Sequence, residues 1–241
     1  MSRIALFLAA LLFTMVVADS PAHAQPPSHD LMAKLGAYAE RFEAMRKRAS
    51  YVIDARLDSV DGHGQATSTK RGKARVDSDG RDSKFSILEY FEDGKNETDE
   101  ARRKQREREA DAARHPAPAK RAWRMPFHPG EQPRYNFDVV EIDPSDASHV
   151  RIAFVPKIKE DDTIEGSAWV DARTGTLISA GFKLSHPPTL VDAVNIRMSF
   201  GEQTALGPAP SHIEVEARGG FLFVRKRYRG EATLSNYHLS P

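Results

Sequence analysis

Cysteine is absent from the 241-residue sequence, so no disulfide bond can stabilise the fold. An excess of charge of one sign is lacking as well: the sequence has 35 Lys and Arg residues and 34 Asp and Glu residues, which gives a net charge of +1 at pH 7. Domains that bind nucleic acid usually carry a strongly basic surface, so we expect no nucleic-acid partner. Stability must come from the apolar core, because no cross-link supplements it.

Motifs for catalysis, cofactors and metals are missing too. There is no Walker loop, no Gly-x-Ser-x-Gly elbow and no dinucleotide fingerprint, and the nine histidines form neither His-Glu-x-x-His nor His-x-His. The stretch from Asp77 to Asp82 has the look of a calcium loop but lacks its closing Glu. We therefore expect no enzyme, no cofactor and no metal. A hydrolase whose Ser, His and Asp lie far apart in sequence is a lesser alternative.

The first 24 residues have the pattern of a secretory signal peptide. Arg3 is followed by an apolar run over 4–18, and Ala22-His23-Ala24 fits the small-x-small cleavage site. The run is shorter than the roughly 20 residues that a membrane span needs, and no later segment is more apolar. We expect cleavage of 1–24 and a single domain over 25–241 that is not an integral membrane protein. Without an N-terminal cysteine to lipidate, its location in a Gram-negative host would be the free periplasm.

One amphipathic helix and many strands are predicted in the exported part. Ser28 can cap a helix over 29–49, in which apolar residues recur at steps of three and four. From Tyr51 the apolar period changes to two, and Asp-Gly pairs mark turns. Together these patterns predict an antiparallel meander, with strands at about 51–59, 65–77, 83–92, 135–142, 149–156, 165–172, 176–185, 192–201, 211–218 and 221–237.

A charged segment at about 96–121 interrupts the meander. It has almost no apolar stripe, but it is rich in helix formers and in opposite charges four residues apart, such as Glu100 and Lys104. We interpret it as a solvated helical or partly disordered insertion. A mobile lid or a docking arm for a partner is the second interpretation.

The strands offer more apolar face than one helix can cover. A one-sided antiparallel sheet must bury that face, so the surplus either curls into a partial barrel or holds a ligand. The alternation does not decide between a solid core and an open groove. The candidate groove residues are Phe42, Ile53, Leu57, Phe85, Ile87, Ile178, Phe182, Leu184, Ile196, Met198 and Phe200.

A basic cluster follows the apolar stretch at 221–224. In a strand, Arg225, Arg227 and Arg229 would project to one side and Lys226 to the other. The cluster could pair with acidic neighbours such as Glu214 and Glu216. The functional alternative is that it binds the anionic head group of a lipid at the rim of the groove.

The hairpin from Gly166 to Leu177 reads Gly-x-x-Trp-Val-Asp-x-x-Thr-Gly-x-Leu, and Asp171 in it is expected to accept hydrogen bonds within the turn. This hairpin, together with a helix over 29–49 that runs directly into a strand, resembles the LolA/LolB-like superfamily of periplasmic lipoprotein-sorting and lipid-carrier proteins. The resemblance implies an α+β fold, mainly antiparallel β. Its unclosed half β-barrel would be covered on the concave face by the N-terminal amphipathic helix.

The resemblance also implies a function. It points to a non-enzymatic periplasmic carrier or binder of a lipid, a lipoprotein acyl chain or another envelope amphiphile, bound between the helix and the sheet without a cofactor. The alternative is an envelope interaction or sensor module that binds a protein partner through the charged segment at 96–121.

Overall fold

The computed structural model describes residues 25–80, 83–115, 124–188, 191–221 and 224–240, with only the backbone at 221, 224 and 225. The predicted signal peptide, 1–24, lies outside the described residues. Two α-helices, a short 3-10 turn at Gln132–Arg134 and thirteen strands occur in the described part. In chain order they are α1 (His29–Arg48), β1 (Ala49–Val60), β2 (Ala66–Ser78), β3 (Ser83–Glu92), β4 (Lys95–Asn96), α2 (Thr98–Arg114), β5 (Tyr135–Ile142), β6 (His149–Pro156), β7 (Ile164–Asp171), β8 (Thr176–Leu184), β9 (Val191–Ser199), β10 (Glu202–Thr204), β11 (Gly207–Ala209), β12 (His212–Phe221) and β13 (Val224–Leu239).

Eleven of these strands form one antiparallel sheet in the order β4-β3-β2-β1-β13-β12-β9-β8-β7-β6-β5. The first long strand, β1, pairs with the last strand, β13, so the start and the end of the chain are neighbours inside the sheet. The outermost strands β4 and β5 do not pair, and the sheet stays open. The predicted fold class, an unclosed antiparallel sheet with an N-terminal helix, is confirmed. The strands β10 and β11 form a separate two-stranded hairpin that the sequence patterns did not predict.

The sheet has one apolar and one polar face, and its register shows this directly. Residues paired across an antiparallel sheet share a face, so chains of pairs can be followed from strand to strand. On the face against which α1 packs, here called the inner face, one chain of pairs is Val139, Ile152, Ala168, Ala180, Met198, Ile213, Ala232, Ala55, Gly72 and Tyr90. On the outer face, the adjacent chain of pairs is Asp138, Ala153, Ser167, Gly181, Arg197, Glu214, Glu231, Arg56, Arg71 and Phe91.

Helix α1 seals one half of the inner face. Ser28 caps it by accepting a hydrogen bond from the Leu31 N–H at 3.2 Å, as its sequence pattern predicted. Its apolar stripe, with Leu35 fully buried, packs with β6, β7 and β8 into one core. Tyr38 is also buried and its hydroxyl donates to the Pro208 carbonyl at 2.7 Å, which ties the β10–β11 hairpin to the helix. Burial raises the pKa of Tyr38 well above its usual range.

A β-bulge changes which residue of β8 enters this core. The register shifts between Trp169 and Val170, so that Val170 pairs with Leu177 and leaves Ile178 as the extra residue. Leu177 is 3 % exposed and belongs to the core, whereas Ile178 is half-buried and lies outside it. The alternation put Ile178 in one row with Ala180, Phe182 and Leu184; because of the bulge, Leu177 rather than Ile178 is the buried core residue at this end of β8.

The turn of the Gly166–Leu177 hairpin has a structural role, as predicted. The Asp171 side chain accepts the Arg173 N–H at 2.8 Å, and its carbonyl accepts the Gly175 N–H at 2.7 Å. Gly175 has φ +71°, and a Cβ at this position would lie 2.4 Å from the Lys34 Cβ and 2.6 Å from the Lys34 carbonyl carbon of α1. The turn therefore fits under the backbone of α1 only as glycine.

Replacing Gly175 with alanine should destabilise the protein more than the same change at Gly64. Both glycines have positive φ, but nothing lies within 4 Å of a Cβ at Gly64. The left-handed backbone costs alanine about 1 kcal/mol at either site. Gly175→Ala adds the collision with α1, for which we expect about 1–3 kcal/mol more. Urea unfolding followed by circular dichroism measures the difference, and equal losses would contradict the contact with α1.

Candidate functional site

Helix α2 lies along the edge of the sheet that α1 leaves uncovered. It is fixed to β3 by polar contacts: the Arg102 guanidinium donates to the carbonyls of Ile87 and Leu88 at 3.0 and 2.9 Å, and Gln105 donates to the Phe85 carbonyl. None of its residues is buried. Ion pairs one turn apart, such as Glu100 with Arg103 at 2.6 Å and Lys104 at 3.2 Å, support the helix instead. The described part of the charged segment thus forms a helix without an apolar stripe, and its residues 116–121 lie outside the described part.

A groove of about 870 Å³ lies between α2 and the inner face of β1, β2 and β3; we call it the α2 groove. Its floor is apolar and its wall is the polar side of α2. Two of the floor residues remain strongly exposed, Leu57 at 41 % and Phe85 at 46 %. The apolar floor consists of Ile53, Ala55, Leu57, Gly72, Ala74, Phe85 and Ile87, and the wall of Glu97, Glu100, Ala101, Lys104, Gln105, Arg108 and Glu109. Polar residues of the strands also line the groove: Arg56, Lys70, Arg71, Lys73, Glu89, Tyr90 and Glu92.

The candidate groove residues separate into two groups. Ile53, Leu57, Phe85 and Ile87 come together in the floor of the α2 groove. A second group lines a void of only about 40 Å³ beneath α1: Phe42, Phe182, Met198 and Phe200. This void is far below the roughly 300–1,000 Å³ of ligand pockets, and the side chains around it belong to the core or pack against it.

The two regions are joined by an apolar path across the middle of the inner face. Ala55 in the α2 groove pairs with Ala232, which pairs with Ile213, and Ile213 pairs with Met198 beside the small void. The remaining candidates, Ile196 and Leu184, are half-buried on the same side and line neither cavity. An apolar ligand in the α2 groove would therefore meet further apolar surface toward the centre of the sheet.

The loop at 124–134 fills the space between α1 and the sheet, a role that the sequence patterns did not predict. Met125 and Phe127 are buried in the core between α1 and the sheet. Gln132 donates one amide to the carbonyls of Met32 and Phe127, at 3.0 and 2.7 Å. Glu43 of α1 also pairs with Arg124 at 3.1 Å. The prolines of this segment gave no indication that its apolar residues fill the space beneath α1.

The predicted basic cluster does not surround the α2 groove. Register places Arg227 and Arg229 on the outer face, with Arg229 directly opposite both Asp58 and Glu216. Lys226 shares the inner face with Tyr228 and is exposed, and the Arg225 side chain lies outside the described part. The position of Arg229 favours pairing with acidic neighbours, which was one of the two interpretations of the cluster.

The charges at the α2 groove come partly from the Glu100 and Lys104 pair that the sequence indicated, and partly from Lys70 and Glu92, which it did not. Lys70 pairs with Glu92 at 3.3 Å, and this hydrogen bond raises the pKa of Lys70. Hydrogen bonds from Arg103 and Lys104 lower the pKa of Glu100. These groups therefore stay charged near neutral pH. The sequence signal for the wall of the groove is the spacing of opposite charges along α2, four residues apart.

The chemistry available in the α2 groove is burial of apolar surface beside charged groups. Its described lining contains no Ser, Thr, His or Cys. Within the described ranges, no three His, Cys, Asp or Glu side chains stand close enough to hold a metal ion. A search of the same residues finds no helix with the length and hydropathy to cross a membrane.

Comparison with known proteins gives similarities of fold only. No protein-family model matches the sequence, and no curated protein matches it. Among solved structures, the chain is similar to a DUF1329 family protein from Desulfovibrio piger (12% identity, TM-score 0.40, 88% of this chain and 94% of that one). It is also similar to a Pseudomonas aeruginosa MucA/MucB complex structure, at 11% identity and a TM-score of 0.22 over 83% of this chain and 94% of that one.

A third similarity is to a LolA superfamily protein from Nitrosomonas europaea, with 11% identity and a TM-score of 0.41 over 85% of this chain and 93% of that one. At these values no residue or activity can be transferred to this chain. The solved structures that the chain resembles thus include a member of the superfamily to which the Gly166–Leu177 hairpin pointed.

Proposed function

We propose that this protein binds or carries an amphiphile, such as a lipid or a lipoprotein acyl chain, in the α2 groove without catalysing a reaction. The observation that carries the proposal is the apolar floor of the groove. Leu57 and Phe85 keep nearly half of their surface accessible, although they stand on the same face whose other half packs into the core beneath α1. An apolar patch of this kind beneath a polar wall is typical of a ligand site.

The driving force for binding follows from the floor. Each methylene removed from water contributes about 0.8 kcal/mol. Ten methylenes of an acyl chain would therefore supply about 8 kcal/mol, which corresponds to micromolar affinity before the costs of ordering the chain are subtracted. The volume of about 870 Å³ lies within the usual range of ligand pockets. The apolar path through Ala232 and Ile213 toward Met198 gives a longer chain further surface to cover.

The wall of the groove suits the polar end of an amphiphile. Lys104 and Glu100 form an ion pair there, and the neighbouring Arg108 is exposed, with no ion pair found among the described residues. A head group at this wall would remain in contact with water and with charged side chains. The acyl chain would lie on the floor beneath it.

The signal-peptide pattern at 1–24 places this activity in an exported protein, which in a Gram-negative host means the periplasm. A carrier in that compartment would hold an apolar chain out of water between two membranes. The second candidate function is binding of an envelope protein, and the open edge of β3 beside α2 favours it.

Titration with a fluorescent eighteen-carbon fatty acid tests the proposed function. The exported chain, stripped of bound lipid by reversed-phase treatment and refolded, should bind one probe molecule with a dissociation constant in the micromolar range. A four-carbon analogue should not compete, because it buries too little surface. Native mass spectrometry of the gently purified protein gives the stoichiometry. No binding of the long-chain probe, or equal competition by the short one, would contradict the proposal.

A further inference from the structure

The strand β3 forms an open edge of the sheet over most of its length. It pairs with β2 on one side, whereas on the other side the two-residue β4 contacts only Phe91 and Glu92. We call residues 83–88 of this strand the β3 edge. Proteins commonly protect such an edge, because its unpaired backbone groups can pair with another strand. Here the protection comes from α2.

The protection of the β3 edge is incomplete. Phe85 and Ile87 direct their carbonyls away from β2 and toward Gln105 and Arg102 of α2. In an antiparallel strand the N–H of a residue points to the same side as its carbonyl, so the N–H groups of Phe85 and Ile87 also point away from β2. Arg102 and Gln105 reach the edge as donors, and no hydrogen bond from these two N–H groups to α2 is found in the described part of the chain. A second strand would satisfy donors and acceptors alike.

Tyr90, further along the same strand, shows what full pairing requires. Its N–H donates to the Thr98 hydroxyl at 2.9 Å, and its carbonyl accepts the Glu97 N–H at 2.9 Å. The start of α2 thus completes the backbone of β3 at Tyr90. At Ile87 and Phe85, by contrast, the backbone carbonyls accept only from side chains of α2. The body of α2 is therefore a weaker partner for the β3 edge than its first residues.

Displacing the body of α2 from the β3 edge breaks few interactions. No residue of α2 is buried, and the helix reaches the edge with two side chains. Exposed hydrogen bonds of this kind contribute modestly to stability. The ion pairs of α2 lie within the helix itself and can persist when it moves.

The side chains around the β3 edge define what an added strand would carry. On the inner side Phe85 is 46 % exposed, so apolar residues of a partner would pack beside it. On the outer face Ser86 pairs with Arg75, which is exposed and has no ion pair among the residues that the structure describes. Alternate residues of the partner on this face would gain from a negative charge.

We propose that the β3 edge is a docking site for an extended peptide segment of a partner protein, with apolar residues alternating with acidic ones, which adds to the sheet as a strand in place of the body of α2. Backbone hydrogen bonds supply the affinity in this mode of recognition, and the alternating side chains supply the specificity. This site adjoins the α2 groove, because Phe85 belongs to both and α2 forms the wall of the groove. The peptide test does not depend on amphiphile binding.

The probe is a fluorescein-labelled ten-residue peptide of alternating Val and Glu, titrated against the full exported chain. Fluorescence anisotropy should show binding, and removing the competing contacts in an Arg102→Ala/Gln105→Ala variant should tighten it about tenfold. Arg106→Ala is the matched control on α2, because Arg106 is exposed and makes no contact with β3; it should leave the affinity unchanged. A peptide N-methylated at alternate residues should not bind, since it cannot form the ladder.

Amide hydrogen exchange keeps the proposal falsifiable if the double variant fails to fold. In the unaltered chain, saturating peptide should slow exchange at Phe85 and Ile87 at least tenfold. Unchanged exchange at these amides, equal binding of the N-methylated peptide, or no tightening in a folded double variant would overturn the proposal. If the fluorescent fatty acid displaces the peptide, and the peptide does not slow exchange at these amides, then the peptide has bound in the α2 groove and not at the β3 edge. Failure of the peptide leaves the fatty-acid titration unaffected, so the two proposals fail separately.

Discussion

A Leu57→Glu variant should lose amphiphile binding while it keeps its fold. Leu57 stands in the floor of the α2 groove and is 41 % exposed, so a longer polar side chain can be accommodated with its carboxylate in water. Binding an acyl chain would bury that carboxylate against apolar atoms. Burying a polar group without a partner costs about 2 kcal/mol or more, which lowers the affinity at least about 30-fold. Titration with the long-chain fluorescent fatty acid measures the loss.

Thr233→Glu is the matched control for Leu57→Glu. Thr233 is exposed on the outer face of β13, on the side of the sheet opposite the α2 groove, and the substitution introduces the same charge. It should leave the affinity within about twofold of the original. Equal loss in both variants would mean that net charge, rather than the α2 groove, governs binding. Unchanged binding by Leu57→Glu would remove Leu57 from the site.

Proline in the middle of α1 should destabilise the protein strongly, whereas proline in the middle of α2 should have little effect on its main unfolding transition. Ala39 is 2 % exposed in α1, where the apolar stripe forms the core. Ala39→Pro breaks the helix, which costs about 3 kcal/mol, and it also disturbs the packing. Because domains of this kind are stable by only about 5–15 kcal/mol in total, this variant should be largely unfolded at 37 °C or should melt far below the original.

Arg106→Pro breaks α2 in the same way but should shift the main unfolding transition by less than about 1 kcal/mol. No residue of α2 is buried, so the sheet and α1 lose no apolar contact when α2 unfolds locally. Circular dichroism should show partial loss of helix at low urea and an unchanged midpoint for the rest. A large shift in the main transition would show that α2 is part of the cooperative core, and the groove beneath it would then not be an accessible site.

The period-two pattern predicted most strands of the sheet within a residue or two. It did so because the two faces differ sharply in polarity. Met198, for example, packs against the core, whereas its neighbour Arg197 pairs with Glu214 on the outer face. The same reasoning did not identify Leu177 as the core residue of β8. A bulge there leaves no sign in the alternation, since Leu177 and Ile178 are both apolar and either could have entered the core.

The candidate site could be predicted only in part. The apolar floor residues Ile53, Leu57 and Phe85 were identifiable, because a broad one-sided sheet has more apolar surface than one helix covers. Their separation from Phe182 and Phe200 was not, because it depends on which half of the inner face α1 and the loop with Met125 and Phe127 cover. The contacts between strands distant in sequence, above all β1 with β13, fix that geometry.

The position of α2 was also beyond sequence reasoning. A helix without an apolar stripe gives no indication of the surface that it contacts. Its attachment to β3 rests on Arg102 and Gln105, two of many polar side chains in the segment, which reach backbone carbonyls that any residue would supply. The interpretation of this segment as a solvated helix agrees with α2, in which no residue is buried. The groove that α2 forms with β1, β2 and β3 appears only in the structure.

Photo-crosslinking with a long-chain fatty acid that carries a diazirine near its terminal methyl group tests the central claim most directly. Ligand bound in the α2 groove should label the segments of β1 and β3 that contain Ile53, Leu57, Phe85 and Ile87, as read by mass spectrometry after proteolysis. Leu57→Glu should remove this labelling. Labelling confined to other exposed apolar residues, such as Ile158 at 70 % exposure, or labelling that Leu57→Glu leaves unchanged, would contradict the account.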